Sequence, residues 1–258
     1  MTSKPVHSPG LAPELSVAGR IATITLRRPD MANRLDPDDL DTLRGYLRDV
    51  NEQRDVLVLR LTAQGPHFCA GFNIGSVTDS EAIARFEALA DEMENARPVT
   101  IAAIGGGVYG GGSDLALACD FRIGVDTTQM FVPPARLGLV FYRGGLERYV
   151  SRLGLNVAKR VLLAVETFDA QQMQAIGYLD RIVARDALQR ETDRLSEELA
   201  GLAPLALLGM KKHMNRIARG DFEADEFARD VAKADASADL REGALAWKEK
   251  RKPVFRGE

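Results

Sequence analysis

The stretch GGGVYGGGSDLALACD, residues 105–120, has six glycines in its first eight positions and follows an apolar, strand-like segment. Gly110, Gly111 and Gly112 come directly before a helix predicted at 113–119. Glycine lets a backbone approach a ligand closely, and the first amides of a helix have no intrahelical acceptor, so such a loop can stabilise a developing negative charge. A glycine-rich turn can equally serve only to pack a strand tightly against a helix.

The same glycines also fit a dinucleotide fingerprint. Gly105, Gly107 and Gly110 satisfy G-x-G-x-x-G, and Asp126 follows about twenty residues on. A Rossmann crossover needs a dozen or more residues, however, and the short helix at 113–119 supplies fewer. We therefore keep an NAD-dependent dehydrogenase as the less favoured interpretation.

The segments around this loop alternate between strand and helix patterns. Residues 14–26 indicate two short strands that turn at Gly19, and Asp36 with Pro37 begins a helix whose leucines recur on one face. Further predicted elements are strands at 56–61, 99–104 and 121–125, a helix at 80–95, and helices beginning near Gly144, Asn156 and Asp169. Beyond residue 183 the chain is almost wholly helical. This order predicts an α/β fold.

We expect three regions along the chain. They are a flexible N-terminal arm at 1–13, an α/β core at 14–195 and a helical region at 196–258, with no Pro/Ser-rich linker to mark independent domains.

Composition narrows the class of protein. The net charge of −3 supplies no basic field for a phosphate backbone, so no nucleic-acid partner is expected. Cys69 and Cys119 lack metal-ligand spacing, so neither a disulfide framework nor a metal site is expected. No window approaches the roughly 20 apolar residues of a membrane span. We expect a cytoplasmic protein.

Three stretches together resemble one family. GPHFCAGFNIGSV at 65–77, the loop at 105–120 and EGALAWKEKRKPVFRGE at 242–258 resemble the enoyl-CoA hydratase/isomerase, or crotonase, superfamily. The resemblance implies a spiral of repeated β-β-α units with a C-terminal helical region that covers the acyl pocket and forms a homotrimer or hexamer. It also implies an acyl-CoA thioester substrate, no separate cofactor, no metal, and lyase or isomerase reactions as in fatty acid metabolism.

The resemblance assigns an oxyanion hole to two backbone amides. In this family they belong to the residue after the Ala-Gly pair and to the middle glycine of the triplet, which correspond here to Phe72 and Gly111. Backbone donors do not depend on the side chain, so phenylalanine does not weaken the assignment. Ala70, Gly71 and Gly110 are expected to contact the substrate beside them.

Asp114 stands where hydratases of this family place their first catalytic glutamate. A carboxylate beside an oxyanion hole can transfer protons at the α or β carbon. The alternative is an aspartate that caps a helix or faces solvent, because acids are favoured in the first helical turn. We interpret Asp114 as catalytic, although its side chain is one methylene shorter than that of glutamate.

The second hydratase glutamate of the family falls on Pro134 in this sequence. Proline neither accepts a proton nor orients a water, so the ordinary two-carboxylate hydration is not expected. Tyr142 lies where some relatives have a catalytic aspartate, and its phenol can donate a hydrogen bond or a proton. Methylmalonyl-CoA decarboxylases are similar in having proline at the 134 position, but their tyrosine falls at the position of Phe141.

Two arginines are further candidates for substrate binding. Arg143 can hold a substrate carboxylate and Arg34 can contact a CoA phosphate, but solvated side chains explain both equally well. We predict an acyl-CoA-transforming enzyme that favours isomerase-type chemistry over hydration. A methylmalonyl-CoA-decarboxylase-like enzyme and a non-catalytic acyl-CoA-binding homologue are the alternatives.

Overall fold

The structure, a computed structural model, describes residues 10–72 and 80–258. Its strands are β1 (Leu11–Ala18), β2 (Ile21–Arg27), β3 (Val58–Ala63), β4 (His67–Cys69), β5 (Val99–Ile104), β6 (Gly107–Tyr109), β7 (Phe121–Val125), β8 (Gln129–Phe131), β9 (Phe168–Asp169) and β10 (Arg181–Val183). Its helices are α1 (Pro37–Glu52), α2 (Ser80–Glu94), α3 (Gly111–Ala118), α4 (Arg143–Leu153), α5 (Leu155–Leu162), α6 (Ala170–Ala175), α7 (Leu188–Ala200), α8 (Pro204–Arg219), α9 (Ala224–Asp235) and α10 (Ala238–Glu249).

The described strands form two sheets. The first has the order β1-β2-β3-β5-β7-β10, and the second has the order β4-β6-β8-β9. In the first sheet β1 and β2 form an antiparallel hairpin, and the other neighbours are parallel. In the second sheet β4, β6 and β8 are parallel, and β9 joins β8 antiparallel. Strands β3 to β8 therefore alternate between the two sheets along the chain.

This alternation produces a repeated β-β-α unit. One strand enters the first sheet, the next enters the second sheet, and a helix follows, as in β3-β4-α2 and β5-β6-α3. The third unit is β7-β8-α4, with a short 3-10 helix at Pro134–Leu137 before α4. Each unit adds one strand to each sheet, so the chain advances as a spiral. The α/β spiral of β-β-α units predicted from the sequence is confirmed.

Helix α1 shows how the local pattern produces the packing. The backbone amide of Asp36 donates to the Asp39 carboxylate at 2.9 Å, which secures the start of the helix. Leu40, Leu43 and Leu47 recur on one face and are buried in the main core. Burying a leucine side chain stabilises the folded state by about 1.5–3 kcal/mol.

Helix α3 begins at Gly111, two residues earlier than the sequence predicted. Gly110 precedes it with a φ of +51°, a left-handed conformation that glycine adopts without a Cβ penalty. The Gly110 amide donates to the carbonyl of Phe131 in β8 at 2.9 Å. The earlier start puts the Gly111 amide at the first helical position, where no intrahelical acceptor is available.

The chain ends differ in detail from the three expected regions. β1 includes residues 11–13, which the sequence assigned to the N-terminal arm, and residues 1–9 of that arm lie outside the described residues. The expected boundary at 195 falls within α7, whose Leu199 shares a buried cluster with Ile101 of β5. In the described ranges, no helix combines the length and the apolar composition needed to cross a bilayer.

Candidate active site

The two loops that the sequence assigned to substrate binding are in contact. The first follows β4 and contains Ala70, Gly71 and Phe72, and the second joins β6 to α3. Gly71 has a φ of +82°, and a Cβ built on it would lie 2.6 Å from the amide nitrogen of Gly111. The Gly71 carbonyl accepts a hydrogen bond from the Leu35 amide at 2.8 Å, which fixes this loop against the chain before α1. Only glycine allows the loops to approach this closely.

Two backbone amides of these loops have no hydrogen-bond acceptor among the described residues. Within residues 10–72 and 80–258, neither the Phe72 amide nor the Gly111 amide donates a hydrogen bond. Both residues are partly exposed, and Gly111 lies at the N-terminal end of α3, where the helix dipole favours negative charge. Amides without an acceptor can donate hydrogen bonds to an oxygen on which negative charge develops.

Aromatic rings form a wall beside these amides. The ring centroid of Phe86 lies 6.2 Å from that of Phe72 and 6.1 Å from that of Tyr142. A Cβ built on Gly111 would lie 2.6 Å from the Phe86 ring. Phe141 stacks on Tyr142 with centroids 4.4 Å apart. Phe86 therefore joins the amide pair to the tyrosine through one apolar surface.

Asp114 is fully buried within this region. Its Oδ1 accepts a hydrogen bond from Nε of Arg148 at 3.0 Å, and its Oδ2 accepts from Nη2 of Arg148 at 2.7 Å. Oδ2 also accepts from the hydroxyl of Tyr142 at 2.5 Å. Gly110, and not Asp114, caps α3, so the alternative in which this residue caps the helix or faces solvent is wrong. Both carboxylate oxygens are occupied by donors from the protein itself.

Arg148 of α4 was not selected from the sequence, yet it is at the centre of this buried cluster. Its Nη1 donates to Asp91 at 2.6 Å and to Glu94 at 3.2 Å, while its other two nitrogens bind Asp114. Burial works against the charged guanidinium, but the charge and hydrogen bonds of Asp114 raise the pKa of Arg148 above its ordinary value. The sequence signal that indicates it is an arginine four residues after Gly144, on the buried face of α4.

Two more arginines surround the acidic side of the cluster. Arg152 donates to Glu94 at 3.0 Å. Arg219 of α8 donates to Asp91 at 3.1 Å and also binds Glu94. The ion-pair cluster therefore connects the candidate site to the first helix of the C-terminal region.

Tyr142 is a neutral phenol in this arrangement. Burial and the neighbouring Asp114 charge raise the pKa of Tyr142 well above its ordinary value. Its hydroxyl proton points at Asp114, so the oxygen retains lone pairs with which it can accept a hydrogen bond. The tyrosine can orient a polar group in the pocket but is a poor base.

Pro134 is the residue at which the sequence resemblance placed the second hydratase glutamate. It is buried and begins the short 3-10 helix Pro134–Leu137. The preceding Pro133 lies beside the glycine triplet, because a Cβ built on Gly110 would be 3.9 Å from its Cδ. This segment therefore places the Pro133 ring beside the glycine triplet.

The two arginines predicted to bind substrate both have acidic partners. The Arg143 side chain is 88% exposed and pairs with Glu147 at 2.7 Å. Arg34 lies 3.5 Å from Asp36. Each therefore has to leave, or share, a carboxylate in order to bind a substrate anion.

The dinucleotide interpretation does not fit the observed geometry. Strand β6 lies between Gly105 and Gly110, whereas the fingerprint requires a turn that leads directly from a strand into a helix. A cleft of about 820 Å³ lies near α8 and α9, with Arg97, Lys211 and Arg216 in its lining. None of the predicted site residues is among the described residues that line it.

Comparisons of the sequence and of the structure with known proteins agree on one family. Residues 17–258 match the family model described as enoyl-CoA hydratase/isomerase. A probable enoyl-CoA hydratase of Rhizobium meliloti is 30% identical over 244 residues, which cover 92% of this chain and 95% of the relative. The structure of Pseudomonas aeruginosa DspI superposes with a TM-score of 0.87 at 31% identity, covering 98% of this chain and all of that one. An enoyl-CoA hydratase/carnithine racemase of Magnetospirillum magneticum superposes with a TM-score of 0.88 at 27% identity, covering 96% of each chain.

Proposed function

The chain belongs to the enoyl-CoA hydratase/isomerase family and is an enzyme of that family, and on this premise we propose that it stabilises the enolate of an acyl-CoA thioester at the amides of Phe72 and Gly111. The absence of an acceptor for either amide, within the described ranges, supports this role. So does the direct contact between the two loops. One donor of this kind typically contributes about 2.7–4 kcal/mol to transition-state stabilisation.

Ordinary hydration is the reaction that this site supports least. It requires two carboxylates that hold and activate one water, and Pro134 replaces one of them. Asp114 retains a carboxylate, but Arg148 and Tyr142 donate to both of its oxygens. Among the described side chains, this site therefore has no pair of free carboxylates that could hold a water between them.

The pairing of Arg148 with Asp114 is the observation that carries the choice between the remaining reactions. A double-bond isomerase needs a base that removes a proton from one carbon and returns it to another. Loss of CO2 from a malonyl-type thioester forms the same enolate without any base. Because Asp114 is held at both oxygens, we favour decarboxylation of a 2-carboxyacyl-CoA over the isomerase-type chemistry expected from the sequence.

In this reaction the bond between the α carbon and the carboxylate breaks, and its electron pair forms the thioester enolate as CO2 leaves. The Phe72, Phe86 and Phe141 rings favour this step, because an apolar wall destabilises a carboxylate relative to neutral CO2. The enolate then takes up a proton from solvent water at the α carbon. The Tyr142 oxygen can orient that water as a hydrogen-bond acceptor.

A double-bond isomerase is the second candidate function. Asp114 lies one helical turn after Gly111 on α3, so its carboxylate is close to the proposed enolate. To act as a base it must first be released by Arg148, which would leave a buried cation with fewer partners. That requirement makes the isomerase the less favoured of the two. A non-catalytic acyl-CoA-binding homologue is the alternative of another class.

We further propose a homotrimer or hexamer with a cytoplasmic location and a role in acyl-CoA metabolism. Met210 and Met214 of α8 and Trp247 of α10 are each at least 59% exposed in the single chain. Large apolar side chains exposed in this way favour a surface that another subunit covers. Cys69 and Cys119 are buried free thiols, consistent with a reducing compartment. Light scattering coupled to gel filtration would measure the assembly.

The test is incubation with methylmalonyl-CoA, a 3-enoyl-CoA and crotonyl-CoA, followed by mass spectrometry of the thioesters. We expect loss of CO2 from methylmalonyl-CoA and, in D2O, one deuterium at the α carbon of the product. Conversion of the 3-enoyl-CoA to its 2-enoyl isomer would support the second candidate. Hydration of crotonyl-CoA would contradict the argument from Pro134, and tight binding of all three without turnover would support the binding homologue.

A further inference from the structure

The guanidinium of Arg148 spans three carboxylates, and only one of them belongs to the candidate site. We infer that Arg148 is a positioning residue that keeps Asp114 from acting as a proton acceptor and directs the Tyr142 hydroxyl proton toward the protein interior. The catalytic meaning of this inference rests on the proposed function. The geometry on which it is based does not.

The hydrogen bonds of Asp114 leave little capacity for a substrate proton. Arg148 donates to both carboxylate oxygens through Nε and Nη2, and Tyr142 donates to Oδ2 as well. A paired guanidinium and carboxylate of this kind form a strong, directional interaction that favours the ionised carboxylate. Three of the roughly four lone-pair sites of the carboxylate are therefore filled, and a proton taken from a substrate would weaken its pairing with Arg148.

Asp114 depends on Arg148 more than the other two acids do. Asp91 also binds Arg219, and Glu94 also binds Arg152 and Arg219. Among the described residues, Arg148 is the only cation that forms an ion pair with Asp114. Loss of the Arg148 charge should therefore leave Asp114 without an ion-pair partner among the described residues, whereas Asp91 and Glu94 each keep at least one.

The orientation of Tyr142 follows from the same pair. Its hydroxyl donates to Oδ2 of Asp114, which is available as an acceptor because Arg148 favours the ionised form. The phenol oxygen is then left as an acceptor. If Asp114 were protonated, it could donate to Tyr142, and the tyrosine could turn its proton toward the substrate. Arg148 thus determines whether the Tyr142 hydroxyl acts toward the substrate as a hydrogen-bond acceptor or as a donor.

Other titratable groups near Asp114 have partners of their own. Besides Arg148 and Tyr142, the groups that face it are Asp91 and Glu94 behind Arg148, and the hydroxyls of Tyr149 and Tyr178, which bind Ser113. Because of this crowding, a change in pH dependence must be assigned to Asp114 by substitution.

The first experiment measures protonation without any turnover. Infrared difference spectra of the full-length protein are recorded from about pH 5 to pH 9, across the range in which a perturbed carboxyl titrates. We expect Arg148→Gln to gain a protonated-carboxyl band that the wild type lacks, and the double variant Arg148→Gln, Asp114→Asn to lose it again. Arg148→Lys, which keeps the charge, should show little or none of this band.

Arg152→Gln is the matched control. Arg152 is an arginine of the same helix that binds Glu94 but not Asp114, so its loss perturbs the cluster and the folding without removing the partner of Asp114. Circular dichroism and thermal melts show whether each variant is folded at the temperature used. We expect both glutamine variants to melt at lower temperature and only Arg148→Gln to gain the carboxyl band.

The second experiment measures release of Asp114 as a base. Exchange of the α protons of butyryl-CoA in D2O is followed by mass spectrometry for the wild type and the same variants. A positioned general base typically contributes a factor of about 10²–10⁴, so we expect exchange at the alkaline end of the same pH range to be at least about 10²-fold faster in Arg148→Gln than in the wild type. The double variant should return to the wild-type rate.

The two results separate the inference from the proposed function. If no carboxyl band appears in Arg148→Gln, or if Arg152→Gln gains the same band, the inference is overturned even when the wild type decarboxylates methylmalonyl-CoA. If the band appears as expected but the wild type turns over no thioester, the inference holds and the proposed function fails. Wild-type exchange as fast as that of Arg148→Gln would also overturn it, because Asp114 would then already be a free base.

Discussion

A Cβ placed on Gly71 would lie 2.6 Å from the amide nitrogen of Gly111, so the two halves of the candidate oxyanion hole are in direct backbone contact. The obstacle to a larger residue is backbone, which cannot rotate away as the end of a flexible side chain can. The spacing of the two donors therefore depends on the absence of a side chain at one position. Glycine is therefore required at position 71 for the close contact as well as for the positive φ.

Gly71→Ala should lose most of its turnover while remaining folded. The added methyl group has to push α3 and its Gly111 amide away from Phe72, which misplaces a donor to the enolate. We expect kcat to fall by about 10²–10³-fold, the usual effect of losing one such donor. Steady-state kinetics on the thioester that is turned over, together with a thermal melt, would measure both effects.

Gly177→Ala is the control for backbone strain. Gly177 has a φ of +77°, close to the value at Gly71, but nothing lies within 4 Å of an added Cβ. Both variants should lose roughly 1–2 kcal/mol of stability from the left-handed conformation. If Gly177→Ala loses activity to the same extent, strain and not the loop contact would explain the effect at Gly71.

Tyr142→Phe should weaken both stability and turnover. It removes the hydroxyl that donates to the buried Asp114 carboxylate at 2.5 Å. Hydrogen bonds to charged groups contribute about 1.5–3 kcal/mol, so urea denaturation should show a loss in this range. Because the pKa of Tyr142 is raised well above its ordinary value, wild-type activity should show no tyrosine ionisation near neutral pH.

Tyr149→Phe provides the comparison. Tyr149 is also buried on α4, and its hydroxyl bonds the neutral Ser113 hydroxyl at 2.7 Å. Its loss should cost about 0.5–1.5 kcal/mol and leave kcat nearly unchanged. Full activity in Tyr142→Phe would remove this tyrosine from the reaction.

The sequence predicted those parts of the fold and site that depend on local pattern or on backbone. The leucines of α1 recur at helical spacing, and the glycine triplet predicted a loop directly before a helix, while only the family resemblance favoured a donor role for that loop. The start of α3 was missed by two residues; Gly110, which precedes the helix, has a positive φ, and its amide donates to the Phe131 carbonyl of β8. That contact joins β8 to the loop and is not visible in either segment alone.

The ion-pair cluster could not be predicted because its partners are distant in the sequence. Arg148 meets Asp114, Glu94 and Asp91 at separations of 34, 54 and 57 residues. Asp91 and Glu94 also lie in α2, which has several other charged residues. The family resemblance selected Asp114 as a candidate site residue, but it did not select Arg148, which binds the Asp114 carboxylate. The chemistry expected of Asp114 therefore changed most between sequence and structure.

Arg143→Gln should change neither stability nor substrate affinity appreciably. The side chain is 88% exposed and pairs with Glu147 at 2.7 Å, and solvent screens such a pair so strongly that it contributes little to stability. We expect the KM for methylmalonyl-CoA and the inhibition constant of propionyl-CoA to stay within about twofold. A rise in the KM for the carboxylated thioester alone would show that Arg143 binds the substrate carboxylate.

The buried thiols should make the protein less stable at alkaline pH. Burial raises the pKa of Cys69 and of Cys119 to about 12, against an ordinary value of about 8.5. Below the ordinary value both the folded and unfolded states are protonated, so the thiols add no pH dependence. Above it the unfolded chain releases protons that the folded protein retains. Stability should therefore fall by about 1.4 kcal/mol per pH unit for each thiol until the folded pKa is reached.

Urea denaturation at about pH 8.5 and pH 9.5 would measure this slope before tyrosines, with an ordinary pKa near 10, begin to contribute. Cys119→Ala is the informative variant, because the Cys119 thiol makes only a long contact of 3.7 Å to the Leu115 carbonyl, whereas the Cys69 sulfur accepts from the Gly71 amide near the proposed oxyanion hole. Between these two pH values its stability should fall by about 1 kcal/mol less than that of the wild type, because an unfolded thiol is only about half ionised at pH 8.5. Equal slopes in the two proteins would mean that Cys119 ionises as readily in the folded state as in the unfolded one.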